Sequence, residues 1–235
     1  MSSQVKFVRS LKLAESATSP SKSAAARVVA GSLTSFTSEV SGQQLYDVQN
    51  STLLAQLAAT YKFPDPKQIE DWYSFYAKVL EEVGWIKQSF RFDEYNSNQA
   101  SFKLSEVSLE LLSALLGEDE QLFKVVKGTL DSFAKSQEGL TLFSNNSRSQ
   151  KSGRFQILPT TVTNGQLTTA FLGVHFEASQ VSNDYFFFSY KSQDIHLYKT
   201  TQVFTLDEQV YEKVRQAVID KLGPNASDFV HNLSL

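Results

Sequence analysis

Few side chains in this sequence have a type and spacing that could do chemistry, and the nearest approach to a cluster is two histidines and a glutamate. His175 and Glu177 are two positions apart in a β-rich run, so they would lie on the same face of a strand. His196 belongs to a second β-rich run. Imidazole and carboxylate groups placed in this way can bind a metal ion or transfer protons. One hypothesis is therefore a hydrolase or metal-assisted enzyme that uses His175, Glu177 and His196.

The alternative is that these three are ordinary polar residues on the solvent-facing side of a sheet. The chain has 3 His among 235 residues, and one of them will often lie near an acid by chance. We therefore assign no catalytic residue, no metal ligand and no cofactor-binding residue from the sequence. A non-enzymatic protein is favoured, and the enzyme hypothesis stays open.

Two acidic runs and several missing motifs narrow the chemistry further. Glu81–Glu82 falls at the C-terminal end of a predicted helix. Glu118–Asp119–Glu120 falls in the first turn of another predicted helix, and the helix dipole favours acidic residues in a first turn. We expect these carboxylates on the surface. The sequence has no glycine-rich phosphate loop and no nucleophile elbow. With 0 Cys it can form neither disulfides nor thiolate metal sites.

Charge is distributed unevenly along the chain. The first 38 residues hold five basic residues and one acidic residue, which leaves 17 basic and 24 acidic residues for the rest. An acidic body argues against nucleic acid as a partner. Residues 1–23 are basic and Ser-rich and are predicted to form a flexible arm, with a transit peptide as the alternative. No apolar run could span a bilayer and no secretory signal is recognised, so we expect a cytoplasmic protein or one exported without a signal peptide.

Apolar spacing predicts that residues 24–143 are mainly helical. Val29, Leu33, Phe36 and Val40 recur at spacings of four and three, which predicts a helix that ends near Gly42. Further helices are predicted over 50–61, 69–83, 105–115 and 120–133, and a strand is predicted over 85–93.

The polar tract Ser144–Gly153 is predicted to be a surface loop between the two halves, and it could also be a binding loop. Beyond it, four β-rich runs at 154–163, 166–178, 184–191 and 195–204 predict an antiparallel meander, and Asn164–Gly165 suits a two-residue hairpin turn. Thr205–Glu208 has the pattern of a capping box that begins a helix ending at Gly223. The predicted fold is α+β: a helical N-terminal half and an antiparallel meander sheet with the C-terminal helix packed on it, in one compact domain over 24–235.

The segment Tyr185–Tyr190 is unusual because aromatic residues occupy both faces of the predicted strand. It could be a central strand covered on both sides. One face could instead line an apolar pocket for an acyl chain, or insert into a membrane. The ligand-pocket hypothesis names five aromatic residues from this segment and from the predicted helix 69–83: Trp72, Tyr76, Tyr185, Phe187 and Tyr190.

Several segments resemble a family of mostly uncharacterised bacterial and fungal proteins that is associated with the Evf virulence factor. These are Asn50–Leu57, Trp72–Tyr76, Val83–Trp85, Leu206–Tyr211 and Lys221–Gly223. The resemblance covers residues from about 50 to the end. It implies an α/β fold that holds a fatty acyl chain in a buried cleft through a cysteine, in a protein that promotes persistence in an insect host. Because this chain has 0 Cys, the thioester link cannot carry over.

Together these features favour a non-enzymatic binding or effector protein, of a toxin or virulence type, that holds a fatty acyl or lipid-like ligand in a cleft lined by aromatic residues. No cofactor is expected, and peripheral membrane contact is compatible with this role. The alternatives are the enzyme described above and a protein-interaction module that docks through residues 1–23 or the tract Ser144–Gly153.

Overall fold

The computed structural model describes residues 2–14, 26–86, 92–149 and 151–233, and within these ranges it shows one compact α+β domain, as predicted. The described residues form seven α-helices and two short 3-10 helices, at Ser192–Asp194 and Pro224–Phe229. The α-helices are α1 (Ser3–Ser10), α2 (Gly42–Lys62), α3 (Ile69–Glu82), α4 (Leu104–Leu116), α5 (Glu120–Lys135), α6 (Gln137–Ser147) and α7 (Glu208–Leu222).

Ten strands accompany these helices in the described ranges. They are β1 (Ala26–Val29), β2 (Ser32–Phe36), β3 (Trp85–Ile86), β4 (Asp93–Tyr95), β5 (Ser101–Lys103), β6 (Ser152–Thr163), β7 (Gln166–Ala178), β8 (Ser189–Lys191), β9 (Ile195–Leu206) and β10 (Val230–Leu233). Eight form a mixed sheet of order β10-β1-β2-β6-β7-β9-β3, with β4 also paired to β9. The remaining two, β5 and β8, pair with each other.

Helices cover both faces of the main sheet. The face covered by α1, α2, α3 and α7, here called the α3 face, packs Leu158, Phe171 and Phe204 against these helices. The opposite face, here called the α5 face, packs Phe155, Leu172 and Phe176 against α4, α5 and α6. Successive strand residues point to opposite faces, so neighbours such as Phe171 and Leu172 enter different cores.

The predicted meander is present as β6, β7 and β9, which pair antiparallel in that order. The turn between β6 and β7 has Asn164 at φ 51° and Gly165 at φ 75°, as a two-residue hairpin requires. The first half is mainly helical as predicted, yet it also contributes β1, β2, β3 and β4 to the sheet. The β2 strand pairs with β6 in parallel, a long-range contact that no local pattern signals.

The helix predicted from Ala24 to Gly42 is wrong. Residues 26–36 form the β1–β2 hairpin instead, with Ala30 in the left-handed region at φ 50°. Both strands are buried along their whole length. A strand covered on both faces does not alternate between apolar and polar residues, so its apolar spacing matched a helical period by coincidence.

Two predicted helix starts are also wrong. The α2 helix begins at Gly42 rather than near Asn50, because Ser41 and Gln44 form a capping box. The α7 helix is capped by Asp207, whose side chain accepts from the backbone of Gln209 and Val210. In each case a polar residue nearby offered an alternative cap, and the local pattern did not distinguish between them.

Residues 2–14 of the predicted flexible arm are packed on the domain. The side chains of Val8 and Leu11 are buried in the core shared with α2 and α7, and Ala14 donates a backbone hydrogen bond to Leu57 O. An apolar stripe on a short helix explains this docking. The predicted joint Ser19–Ser23 lies outside the described residues, as does 87–91 of the predicted strand 85–93.

The strand predicted over 184–191 is wrong for most of its length. Residues 183–188 form turns, and only Ser189–Lys191 is a strand, paired with β5 outside the main sheet. The backbone amides of Phe187 and Phe188 donate to Asp184 O, so hydrogen bonds within a local turn replace those that a strand would make with a neighbouring strand.

The predicted surface loop 144–153 is shorter than expected, since α6 continues to Ser147 and β6 begins at Ser152.

Candidate functional site

The five residues predicted to line an aromatic pocket lie on opposite faces of the sheet. Trp72 and Tyr76 pack in the core of the α3 face, where their rings stack with centroids 5.3 Å apart. Tyr185, Phe187 and Tyr190 belong to the core of the α5 face. The sheet separates the two groups, so they do not form one cleft.

The aromatic segment itself packs against other rings rather than lining a space. The Tyr185 ring lies 5.9 Å from Phe143 and 5.1 Å from Phe176, and its hydroxyl is 2.7 Å from the Ser147 hydroxyl. Phe186 makes edge contacts with Phe143 and Phe155. This segment therefore forms part of the α5-face core.

The histidines and glutamate singled out in the sequence do share one face. The β6–β7–β9 register places Ser152, Glu177 and His196 in one cross-strand row, and Arg154, His175 and Tyr198 in the next. Both rows lie on the α3 face. Within the described ranges, however, no set of three or more His, Asp or Glu side chains is placed to hold a metal ion.

A cleft opens beside these rows at one end of the α3 face, between the α2–α3 connection and the segment that joins α6 to β6. Its cavity has a volume of about 330 Å³, within the usual range of small-molecule sites. The side chains that line it include Gln56, Thr60, Trp72, Arg154, Gln156 and His175. Of the five predicted pocket residues, Trp72 alone lines this cleft.

Two arginines line this cleft, and the guanidinium of Arg148 is engaged by the side chains of Ser144 and Asn183. The Arg154 guanidinium lies 4.6 Å above the Trp72 ring and donates to the Thr60 hydroxyl at 3.2 Å. The same hydroxyl accepts from Trp72 Nε1 at 3.1 Å. Burial lowers the pKa of Arg154 to about 10, partly offset by Tyr73 nearby. Among the described residues no carboxylate lies within salt-bridge distance of Arg154.

His175 is buried next to Arg154, which it faces across the β6–β7 pair. Its Nδ1 lies 3.1 Å from Gly153 O, and because a carbonyl only accepts, Nδ1 carries the proton. Burial lowers the pKa of His175, with the Glu177 carboxylate opposing this shift. The ring is therefore neutral at pH 7, and its Nε2 is an acceptor. Glu177 Oε1 is 3.8 Å from Nε2, too far for a hydrogen bond.

Buried amides fix the floor of the cleft. Gln56 on α2 accepts from Gly31 N at 3.0 Å and donates to Val29 O at 3.1 Å. Gln156 on β6 accepts from the Ser32 hydroxyl at 2.8 Å and donates to the Tyr73 hydroxyl at 2.9 Å. These side chains are already satisfied, so the cleft is formed without a ligand.

A wider groove continues from the cleft toward the start of β9. It shares Pro66 and Ser152 with the cleft, and Glu177 and His196 line it. Glu177 Oε1 is 3.8 Å from His175 Nε2, and His175 lines the cleft, so this carboxylate lies where the groove meets the cleft. The three predicted residues are thus divided: His175 lines the cleft, and the other two line the groove.

Sequence reasoning missed Arg154 and Thr60. A signal was available for Arg154, which alternates with Phe155 in a strand of the sheet on which the C-terminal helix is predicted to pack. Thr60 had no such signal. The tract Ser144–Gly153 was proposed as a possible binding loop, and the structure places its residues 145–149, 152 and 153 in the cleft wall.

Comparisons with known proteins give a weak likeness. Neither a family model nor a curated protein matches the sequence. Among solved structures, a delta-endotoxin matches with 14% identity and a TM-score of 0.44 over 82% of this chain and 90% of that chain. The Evf virulence factor matches with 13% identity and a TM-score of 0.43 over 84% and 85%. The activated Cyt2Ba monomer from Bacillus thuringiensis subsp. israelensis matches with 11% identity and a TM-score of 0.40 over 75% and 96%.

The resemblance predicted from the sequence therefore has a weak structural counterpart. At these values it carries no argument about function, which must come from the site. In the described ranges, no helix is both long enough and apolar enough to cross a membrane.

Proposed function

We propose that this is a non-enzymatic binding protein that holds a small anionic ligand in the cleft at Arg154. The observation that carries the proposal is a largely buried guanidinium that faces a cavity and has no carboxylate partner among the described residues. A buried cation without a counter-ion is costly. A ligand carboxylate or phosphate would supply the missing charge, and a guanidinium fork suits both groups.

Binding is favoured over catalysis by the arrangement at His175. A general base that activates a hydroxyl needs that hydroxyl within hydrogen-bond reach. In the described part of the chain, no Ser or Thr hydroxyl is hydrogen-bonded to His175, whose Nδ1 is engaged by Gly153 O. The enzyme alternative that uses His175, Glu177 and His196 is supported by their shared orientation, but the described residues supply neither a hydrogen-bonded nucleophile nor a metal cluster.

The experiment is an NMR titration of the full chain with inorganic phosphate and with propionate. The chain has 2 Trp, so the indole region holds two signals. Trp72 shares the Thr60 hydroxyl with Arg154, whereas Trp85 donates to the Ser51 hydroxyl at 2.9 Å and serves as an internal control. We expect the Trp72 signal to shift on titration and the Trp85 signal to stay.

Substitution then tests the role of Arg154. Arg154→Met should abolish the titration without lowering stability, since an apolar side chain removes an unpaired buried charge. Lys124→Met removes the same charge from a side chain 79% exposed on α5 and should bind normally. Unchanged binding in Arg154→Met would refute the proposal.

A fatty acyl ligand is a narrower version of this proposal. Its original support, a single cleft lined by five aromatic residues, is absent, but the cleft also has apolar wall residues, including Leu57, Pro64 and Pro66. Hexanoate should bind more tightly than propionate if an acyl chain is the natural ligand, because about 0.8 kcal/mol is gained per buried methylene. Equal binding would remove the acyl chain from consideration.

The effector, toxin or virulence role and peripheral membrane contact remain predictions from the sequence. Co-sedimentation of the full chain with vesicles of neutral and of anionic lipid would test membrane contact directly. A positive result in which Arg154→Met behaves like the natural protein would place that contact outside the cleft.

A further inference from the structure

Within the described ranges, the structure places Arg154, a cation that has no carboxylate partner, close to two hydrogen-bond acceptors that have no donor. The acceptors are His175 Nε2 and Glu177 Oε1, which lie 3.8 Å apart at the junction of cleft and groove. Nε2 has no hydrogen bond within the described ranges, because the proton of the neutral ring is on Nδ1 and points to Gly153 O. Two acceptors this close leave a place for a group that donates to both.

The cation is near enough to belong to the same site. Arg154 and His175 are directly opposite on antiparallel strands, an arrangement that puts their Cβ atoms about 4.5–5.5 Å apart. Glu177 follows on the same face two residues along β7. A short molecule can therefore reach the guanidinium with one end and the acceptor pair with the other.

We infer that the ligand is a zwitterion of the amino-acid type, whose carboxylate binds Arg154 and whose ammonium bridges His175 and Glu177. This inference rests on the proposed function, since it names the ligand class of the same cleft. An ammonium suits the pair better than a hydroxyl does, because it has three protons for two acceptors and also offsets the Glu177 charge. A hydroxyl has one proton and leaves that charge unbalanced.

The test compares three matched probes in the same NMR titration: propionate, lactate and alanine, which differ only in hydrogen, hydroxyl or ammonium at the second carbon. A second set, 3-phenylpropionate, phenyllactate and phenylalanine, covers a larger side chain. We expect the amino acid of at least one set to bind about 10-fold to 100-fold more tightly than its parent acid, the range for charge-assisted hydrogen bonds.

Substitution of Glu177 assigns the effect to the acceptor pair. Glu177→Gln keeps the shape and removes the charge of a half-exposed side chain, so it should fold normally and lose the preference for ammonium while still binding propionate. Glu120→Gln, at a side chain 86% exposed on α5, is the matched control and should keep the preference.

The possible outcomes distinguish a failure of the zwitterion inference from a failure of the proposed anion-binding function. If the parent acids bind as tightly as the amino acids in an Arg154-dependent way, the zwitterion is wrong and the anion site stands. If the hydroxy acids bind as tightly as the amino acids, a neutral donor replaces the ammonium and the inference is overturned. If no probe shifts Trp72, or if Arg154→Met still binds, the proposed function itself fails.

Discussion

Tyr73 and Tyr76 provide a sharp test of how the α3 face is held together. Both lie on α3 and both are buried, but their hydroxyls differ. Tyr73 Oη lies 3.0 Å from both Phe155 O and Val174 O, to which its proton is donated, and accepts from Gln156 Nε2 at 2.9 Å. The Tyr76 hydroxyl lies near Thr52 but makes no hydrogen bond of normal geometry with any residue in the described ranges.

The same chemical change should therefore have different effects at the two positions. Tyr73→Phe leaves the Gln156 amide, which is 1% exposed, without its acceptor, and an unsatisfied buried group costs about 1–3 kcal/mol. In a domain of this size that lowers the melting temperature by about 2–4 °C for each kcal/mol. Tyr76→Phe removes a hydroxyl that makes no hydrogen bond of normal geometry to a described residue, so stability should be unchanged or slightly higher.

Urea unfolding followed by circular dichroism measures both free energies at pH 7. We expect Tyr73→Phe to unfold at clearly lower urea, and Tyr76→Phe to match the natural chain within about 0.5 kcal/mol. Equal losses in the two variants would refute the reasoning, because they would show that the hydroxyl contacts around Tyr73 contribute no more than ring packing.

Three further predictions concern stability. Gly153→Ala would place a Cβ into the Phe176 ring and should cost about 1–3 kcal/mol in urea unfolding; a neutral result would mean that this ring moves freely. Asp47 is buried and is held by Arg215 through two hydrogen bonds of 2.9 Å, so Asp47→Asn should cost about 2–4 kcal/mol, and adding Arg215→Gln should cost little more. Burial lowers the pKa of His175 below its value of about 6.5 in the unfolded chain. As the pH drops through about 6.5, the unfolded chain therefore takes up a proton on His175 before the folded chain does, and the free energy of unfolding should fall. His175→Asn should flatten that part of the profile of stability against pH, and an unchanged slope would contradict this prediction.

Local signals predicted the parts of the fold that local interactions determine. The α3 helix has a broad apolar stripe, and the hairpin at Asn164–Gly165 has residues that tolerate positive φ. Both are present. The β1–β2 hairpin was missed because its strands are buried on both faces, and the turn at 183–188 was missed because aromatic residues favour strands in the absence of tertiary context.

The site was only partly predictable for a related reason. Residues two apart on a strand must share a face, so the common face of His175 and Glu177 followed from sequence, and their pairing with β9 brought His196 alongside. Arg154 lies next to His175 because of the register between β6 and β7. Thr60 reaches the site because α2 packs on the sheet. Neither contact has a sequence pattern of its own.

The parallel pairing of β2 with β6 also has a consequence for how the chain is made. The hydrogen bond from Ser32 to Gln156 joins residues 124 positions apart. At about 5–20 residues per second, a ribosome takes about 6–25 s to synthesise the intervening segment. Throughout that interval the β1–β2 hairpin, which is wholly buried in the finished domain, has an unpaired strand edge. The cleft that this hairpin later frames cannot form until β6, which supplies Arg154 and Gln156 to its wall, has been made.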